Sequence, residues 1–148
     1  MGRRAQQRPS YRLVELQRYS AYLKAPLNPQ TKYFPVNGDD AARLIIAVDV
    51  HDGSAAAMRI TGAVLAAVWA QERDIADAKV LSELLKECGL ESQRLEQSRS
   101  QNVQERYEAY TQQAIDAGVF GAPSYVIDGE IFWGQDRLDF VERKLGAS

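Results

Sequence analysis

The residues that most often do covalent or metal chemistry are scarce in this sequence. A single cysteine, Cys88, leaves no internal disulfide, no C-x-x-C redox pair and no cysteine metal cluster. A single histidine, His51, leaves little from which to build a metal site or a Ser-His-Asp triad. Cys88 closes the helical pattern "LSELLKEC" and His51 opens the break "HDGS", so both read as structural residues, half-buried helix and interhelical turn respectively. No catalytic residue and no metal ligand is assigned. The chemistry that remains is recognition. "WGQDR" sets Gln135 and Asp136 at the start of a final helical pattern, "RLDFVERKL". Free amides at a helix N-terminus bind a carboxylate, and the Asp136 carboxylate suits an ammonium group. The plainer reading is that Asp136 caps the helix, and the two readings are compatible. On the residues alone, Pro123 in "FGAPS" is an ordinary trans proline leading into a strand.

The elements that must position these residues come mainly from hydrophobic periodicity. "SYRLVELQRYSAYLK" spaces Leu13, Leu16, Tyr19, Ala21 and Leu23 for a helix capped by Ser10 and ended by Pro26. "APLNPQTKYFPVNGDD" is a loop by its prolines and glycine. Asp39 or Asp40 is the cap expected for "AARLIIAVDV", and Ser54 for "AAAMRITGAVLAAVWAQ". The latter is apolar nearly all round and predicts a buried central helix. Asp77 caps "AKVLSELLKEC", with Gly89 just past its end. A short helix through "ESQRLEQSR" and a longer one over "NVQERYEAYTQQAIDAG" follow, giving five or six helices before residue 119. "SYVID" and "EIFW" then flank Asp128-Gly129, a strong hairpin signal. Their consecutive apolar residues, Tyr125 to Ile127 and Ile131 to Trp133, predict strands buried on both faces. A lone two-stranded ribbon is marginal in water, so the sequence reads as the later part of a larger sheet.

At 148 residues, 45% hydrophobic and 26% charged, the sequence is globular in composition. A net charge of −2 argues against a nucleic-acid partner. Arg3, Arg4 and Arg8 in "MGRRAQQR" have no interleaved aromatics and read as a solvated basic leader. No apolar signal region follows them, and no stretch reaches the ~20 residues of a membrane span. A cytoplasmic protein without a membrane partner is the expectation.

"GVFGAPSYVIDGEIFWGQDRLDFVERKL" resembles the closing β-β-α of the DsbA-like thioredoxin fold. More narrowly it is similar to 2-hydroxychromene-2-carboxylate isomerases and the kappa-class glutathione transferases. "YRLVELQRYSAYLKAPL", "FPVN" and "AMRITGAVLAAVWAQERDIADAKVLSELLKECGL" agree with that family in order and spacing, so the resemblance runs from Arg8 to near the end. It implies an α/β chain, mostly α, with a partial thioredoxin-like fold. Residues 1–9 would be the leader, 10–118 a helical insertion domain with an entry helix over 10–24, and 119–148 the closing β-β-α. The family's leading β-α-β, with the serine that faces the glutathione thiol and a glutathione-binding asparagine, is not found in this sequence, and a truncated chain is expected.

The resemblance further implies a cis peptide between Ala122 and Pro123, leaving the Ala122 backbone free to pair with an extended tripeptide as an added strand. Glutathione is such a peptide and is the expected cofactor. Ala122, Pro123, Gln135 and Asp136 are its expected contacts, the last two at the γ-glutamyl end. Arg8 is either an exposed tail arginine or a partner for an acidic group. Phe34 and Asn37 in "FPVN" either line an aromatic substrate cleft or pack a loop. The implied activity is glutathione-dependent isomerisation of a small aromatic substrate by a homodimer. A DsbA-like oxidoreductase or kappa-type transferase shares the fold, though a dithiol enzyme needs the C-x-x-C absent here. A non-catalytic helical module that binds a partner along an open strand edge is the alternative from outside enzymology.

Overall fold

A computed structural model describes the backbone of residues 7–146 and the side chains of residues 10–146. Arg3 and Arg4 lie outside the described residues, as does the side chain of Arg8. The chain divides into two compact units, with the boundary between Gln104 and Glu105.

Among the described residues six helices precede the strands: α1 (Gln7–Leu23), α2 (Asp39–Asp52), α3 (Ser54–Trp69), α4 (Ala78–Glu87), α5 (Arg94–Gln97) and α6 (Gln101–Asp116). Ser10 is inside α1 rather than at its cap, because the helical backbone already includes Gln7 and tolerates Pro9 in an early turn. The cap of α2 is Gly38, and the carboxylates of Asp39 and Asp40 fall in the first turn, where negative charge suits the helix dipole. Asn37 supplies the side-chain acceptor instead, its Oδ1 taking the Asp39 N–H at 2.8 Å. Gly53 at φ +85 makes the break between α2 and α3, so Ser54 is the first helical residue and not the cap. At α4 the expected signals hold: Asp77 Oδ1 accepts from the Lys79 N–H at 2.8 Å, and Gly89 takes φ +68 just beyond the end.

The core of the first unit joins one face each of α2, α3 and α4. Leu44 and Val48, Ile60 and Val64, and Leu81, Leu84 and Leu85 meet there, with Ile75 closing the end. Leu44, Ile60 and Leu85 are fully buried, each contributing roughly 1.5–3 kcal/mol of apolar transfer. α3 is central but not buried all round. Met58 and Leu65 on its other side are mostly exposed, since α2 and α4 pack against only part of its circumference. Loop 24–38 is fastened to the end of α3. The Asn28 N–H donates to the Trp69 carbonyl at 2.6 Å, the Thr31 hydroxyl to that of Val68 at 2.5 Å, and the Asn28 amide to Glu72 at 2.5 Å.

In the second unit β1 (Ser124–Ile127) and β2 (Glu130–Trp133) form the expected antiparallel hairpin, with Ser124 opposite Trp133 and Ile127 opposite Glu130. Asp128 at φ +50 and Gly129 at φ +78 make the tight turn, whose two left-handed positions explain the Asp-Gly pair. The strands are not buried on both faces. Their residues are half-buried or exposed, with Val126 and Trp133 among the exposed ones, because among the described residues the sheet has two strands. A 3-10 turn at Gln135–Arg137 leads into α7 (Leu138–Lys144). Val141 is the buried residue of α7, and Lys144 pairs with Glu130 of β2 at 3.1 Å.

Candidate functional site

The second unit brings the candidate recognition residues to one corner. Ala122–Pro123 is a cis peptide. From Pro123 the chain runs up β1, reverses at Asp128-Gly129 and returns along β2, so that the Gly134 N–H donates to the Pro123 carbonyl at 3.0 Å. That bond extends the ladder by one step and sets the residues after β2 beside those before β1. Ala122, Trp133, Gly134, Gln135, Asp136 and Arg137 line a cavity of about 290 Å³.

Three sets of polar groups there bear on recognition. Ala122 is exposed, and among the described residues neither its N–H nor its carbonyl is engaged in a hydrogen bond. The same holds for the backbone N–H groups of Gln135 and Asp136. The third is an ion pair between neighbours: Arg137 Nη1 lies 2.6 Å from Asp136 Oδ2 and also donates to the Asp136 carbonyl at 3.2 Å. Both side chains are about half exposed, at 47% and 48%, so the pair contributes little to stability and is accessible to a ligand.

Two details depart from the sequence-based picture of Gln135 and Asp136. They lie in a 3-10 turn that the Arg137 N–H closes onto the Gly134 carbonyl at 3.3 Å, ahead of the α-helix and not at its first positions. The Asp136 carboxylate is also no helix cap, since Gly134 and Arg137 hold the cap positions and neither makes a side-chain capping bond. Gly134, at φ +113, brings the chain round so that Asp136 Oδ1 sits where a side chain on residue 134 would lie, 2.5 Å from its Cβ position. Sequence reasoning does not single out Trp133, Gly134 and Arg137, although all three stand in "WGQDR". By pattern Trp133 is strand core, and Arg137 the first residue of a solvated helix.

Phe34 and Asn37 belong to the first unit. Phe34 packs on Trp69 with ring centroids 4.7 Å apart, and the Arg12 guanidinium lies 5.8 Å above its ring. Asn37 is committed to the start of α2 through its bond to Asp39. Cys88 is half-buried with Sγ 4.0 Å from the Arg59 carbonyl, and burial raises its thiol pKa. A thiol raised in this way is a poor nucleophile.

The DSBA-like thioredoxin domain model matches residues 2–146. The chain belongs to the DsbA-like thioredoxin family. Within that family it is 40% identical over 79 residues to a 2-hydroxychromene-2-carboxylate isomerase of Sphingobium xenophagum, a match covering 53% of this chain and 40% of that protein. It is 33% identical over 138 residues to the isomerase of the same name from Pseudomonas putida, covering 92% of this chain and 64% of the relative. A solved structure of 2-hydroxychromene-2-carboxylate isomerase superposes with TM-score 0.74 at 28% identity, covering 93% of this chain and 65% of that one. The chain thus spans less than two thirds of the length of the relatives it matches. Its fold is the DsbA-like thioredoxin fold in a mostly helical form with a small two-stranded sheet.

Proposed function

We propose that this chain supplies the cofactor-holding corner of a glutathione-dependent isomerase acting on a small conjugated aromatic substrate. The observation that carries the reading is the juxtaposition, on one cavity, of an unpaired backbone edge at Ala122 with the Asp136–Arg137 ion pair. An extended peptide laid against Ala122 gains main-chain hydrogen bonds as an added strand does. A free amino-acid head at its end offers an ammonium to Asp136 and a carboxylate to Arg137 and to the N–H groups of Gln135 and Asp136. The γ-glutamyl end of glutathione has both groups on one carbon. An ordinary peptide chain has them only at opposite termini. The names of the relatives support the isomerase half of the proposal.

When bound, glutathione would supply a thiol that adds reversibly to a conjugated double bond, allowing rotation about it, and leaves unchanged. The residues of this chain have simpler tasks. Ala122 fixes the direction of the peptide, Asp136 and Arg137 fix its head, and Trp133 lines the cavity beside them. Isothermal titration with glutathione tests this. A charge-assisted contact at a half-exposed carboxylate is worth about 1–2 kcal/mol, so Asp136→Asn should weaken binding by about 5- to 30-fold. Asp139→Asn, in the first turn of α7 and outside the cavity lining, should leave it nearly unchanged. Equal effects from the two substitutions would remove Asp136 from the site.

A further inference from the structure

Gly121 lies against the indole of Trp133. A Cβ built on Gly121 would fall 2.6 Å from Trp133 Nε1, closer than real Cβ atoms come, and 3.2 Å from Cε2, a tight contact. Gly121 is not among the glycines with positive φ, so its backbone is open to other residues. The need for glycine comes from the ring alone. Phe120 meets the same ring edge-on with centroids 5.0 Å apart, and Trp133 is among the residues that line the cavity with Ala122.

We infer that Gly121 is a positioning residue for the corner: having no side chain, it lets the indole of Trp133 lie against the backbone just before Ala122 and so sets one wall of the cavity. The inference rests on the glutathione reading for its ligand, but the placement of the ring is independent of it. Trp133 is 53% exposed. A methyl group at position 121 therefore swings the indole toward solvent without disrupting buried packing. The hairpin survives and the cavity loses that wall.

The test uses the chain labelled with 5-fluorotryptophan, which resolves Trp133 from Trp69, together with titration by glutathione. In Gly121→Ala the Trp133 fluorine resonance should move while that of Trp69 stays. Glutathione affinity should fall about two- to tenfold, the effect of removing a single interacting group. Phenylalanine lacks the Nε1 edge that the new Cβ meets, so Gly121→Ala should cost much less in a Trp133→Phe background. This non-additivity is the signature of two groups that touch. An unmoved Trp133 resonance, or the same loss of affinity in both backgrounds, would overturn the inference. So would a hairpin that unfolds in Gly121→Ala and remains unfolded in the double variant, since position 121 would then need glycine for its own backbone. If the unsubstituted chain gives no heat with glutathione, the functional reading fails, and the fluorine shift alone decides whether Gly121 places the ring.

Discussion

Asp52 ends α2, where the helix's own carbonyls repel a negative charge. Arg94 of α5 offsets this with two bonds to the carboxylate, Nε to Oδ2 at 2.7 Å and Nη2 to Oδ1 at 2.9 Å. Those hydrogen bonds hold the Asp52 carboxyl below its ordinary value of 3.8. A carboxyl depressed in the folded state stabilises the fold above its unfolded pKa and loses that contribution as pH falls through its folded pKa. Asp52→Asn should therefore cost about 0.5–1 kcal/mol near neutral pH, the range of a solvent-screened ion pair. The gap to the unsubstituted chain should narrow as pH falls below the ordinary value of 3.8 and close in stronger acid, once the carboxyl is protonated in both states. Thermal unfolding at the two pH values checks this, and a gap that persists in acid would argue against the pairing. Nothing local in the sequence points to this pair, whose members are 42 positions apart. Asp77, whose partner is two residues away, is legible as a cap. At the corner, the types of Gln135 and Asp136 are readable, but the ion pair with Arg137 depends on the turn geometry after Gly134.

The elements are legible where period and turn chemistry agree. The hairpin is the clearest case, because Asp128-Gly129 supplies both left-handed turn residues and the apolar runs on either side fix the register. Gly129 has open space around its Cβ position, so Gly129→Ala meets no clash and pays only for the left-handed backbone. A loss of about 1 kcal/mol is expected, visible as faster amide exchange in 124–133 with little change in the first unit. A loss spread evenly over both units would mean that the hairpin does not fold as a local element. Burial is harder to read. Consecutive apolar residues in β1 and β2, and an apolar circumference on α3, both suggest enclosure. Yet Val126, Trp133, Met58 and Leu65 are exposed. Hydropathy records what a side chain tolerates on burial, while the neighbours actually available decide how much of it is covered.

At the scale of the molecule, two units are joined through α6, whose residues fall on both sides of the boundary between Gln104 and Glu105. Among the described residues the hairpin of the second unit has no third strand on either edge, and Phe120, Val126, Trp133 and Phe140 are exposed. Such an edge and apolar surface favour association, and the proposal extends to a homodimer. Sedimentation at about tens of micromolar, where a dimer of about micromolar Kd is mostly assembled, should show a dimer, and a monomer throughout would count against it. The proposal as a whole rests on the corner between Ala122 and Arg137. Its most direct test is a titration of the nitrogen-15-labelled chain with glutathione, followed by amide chemical shifts. Saturable shifts are expected at Gly121, Ala122 and residues 133–137, with the helical core around Leu44, Ile60 and Leu85 unmoved. Shifts that are absent, or that cluster away from those positions, would contradict it.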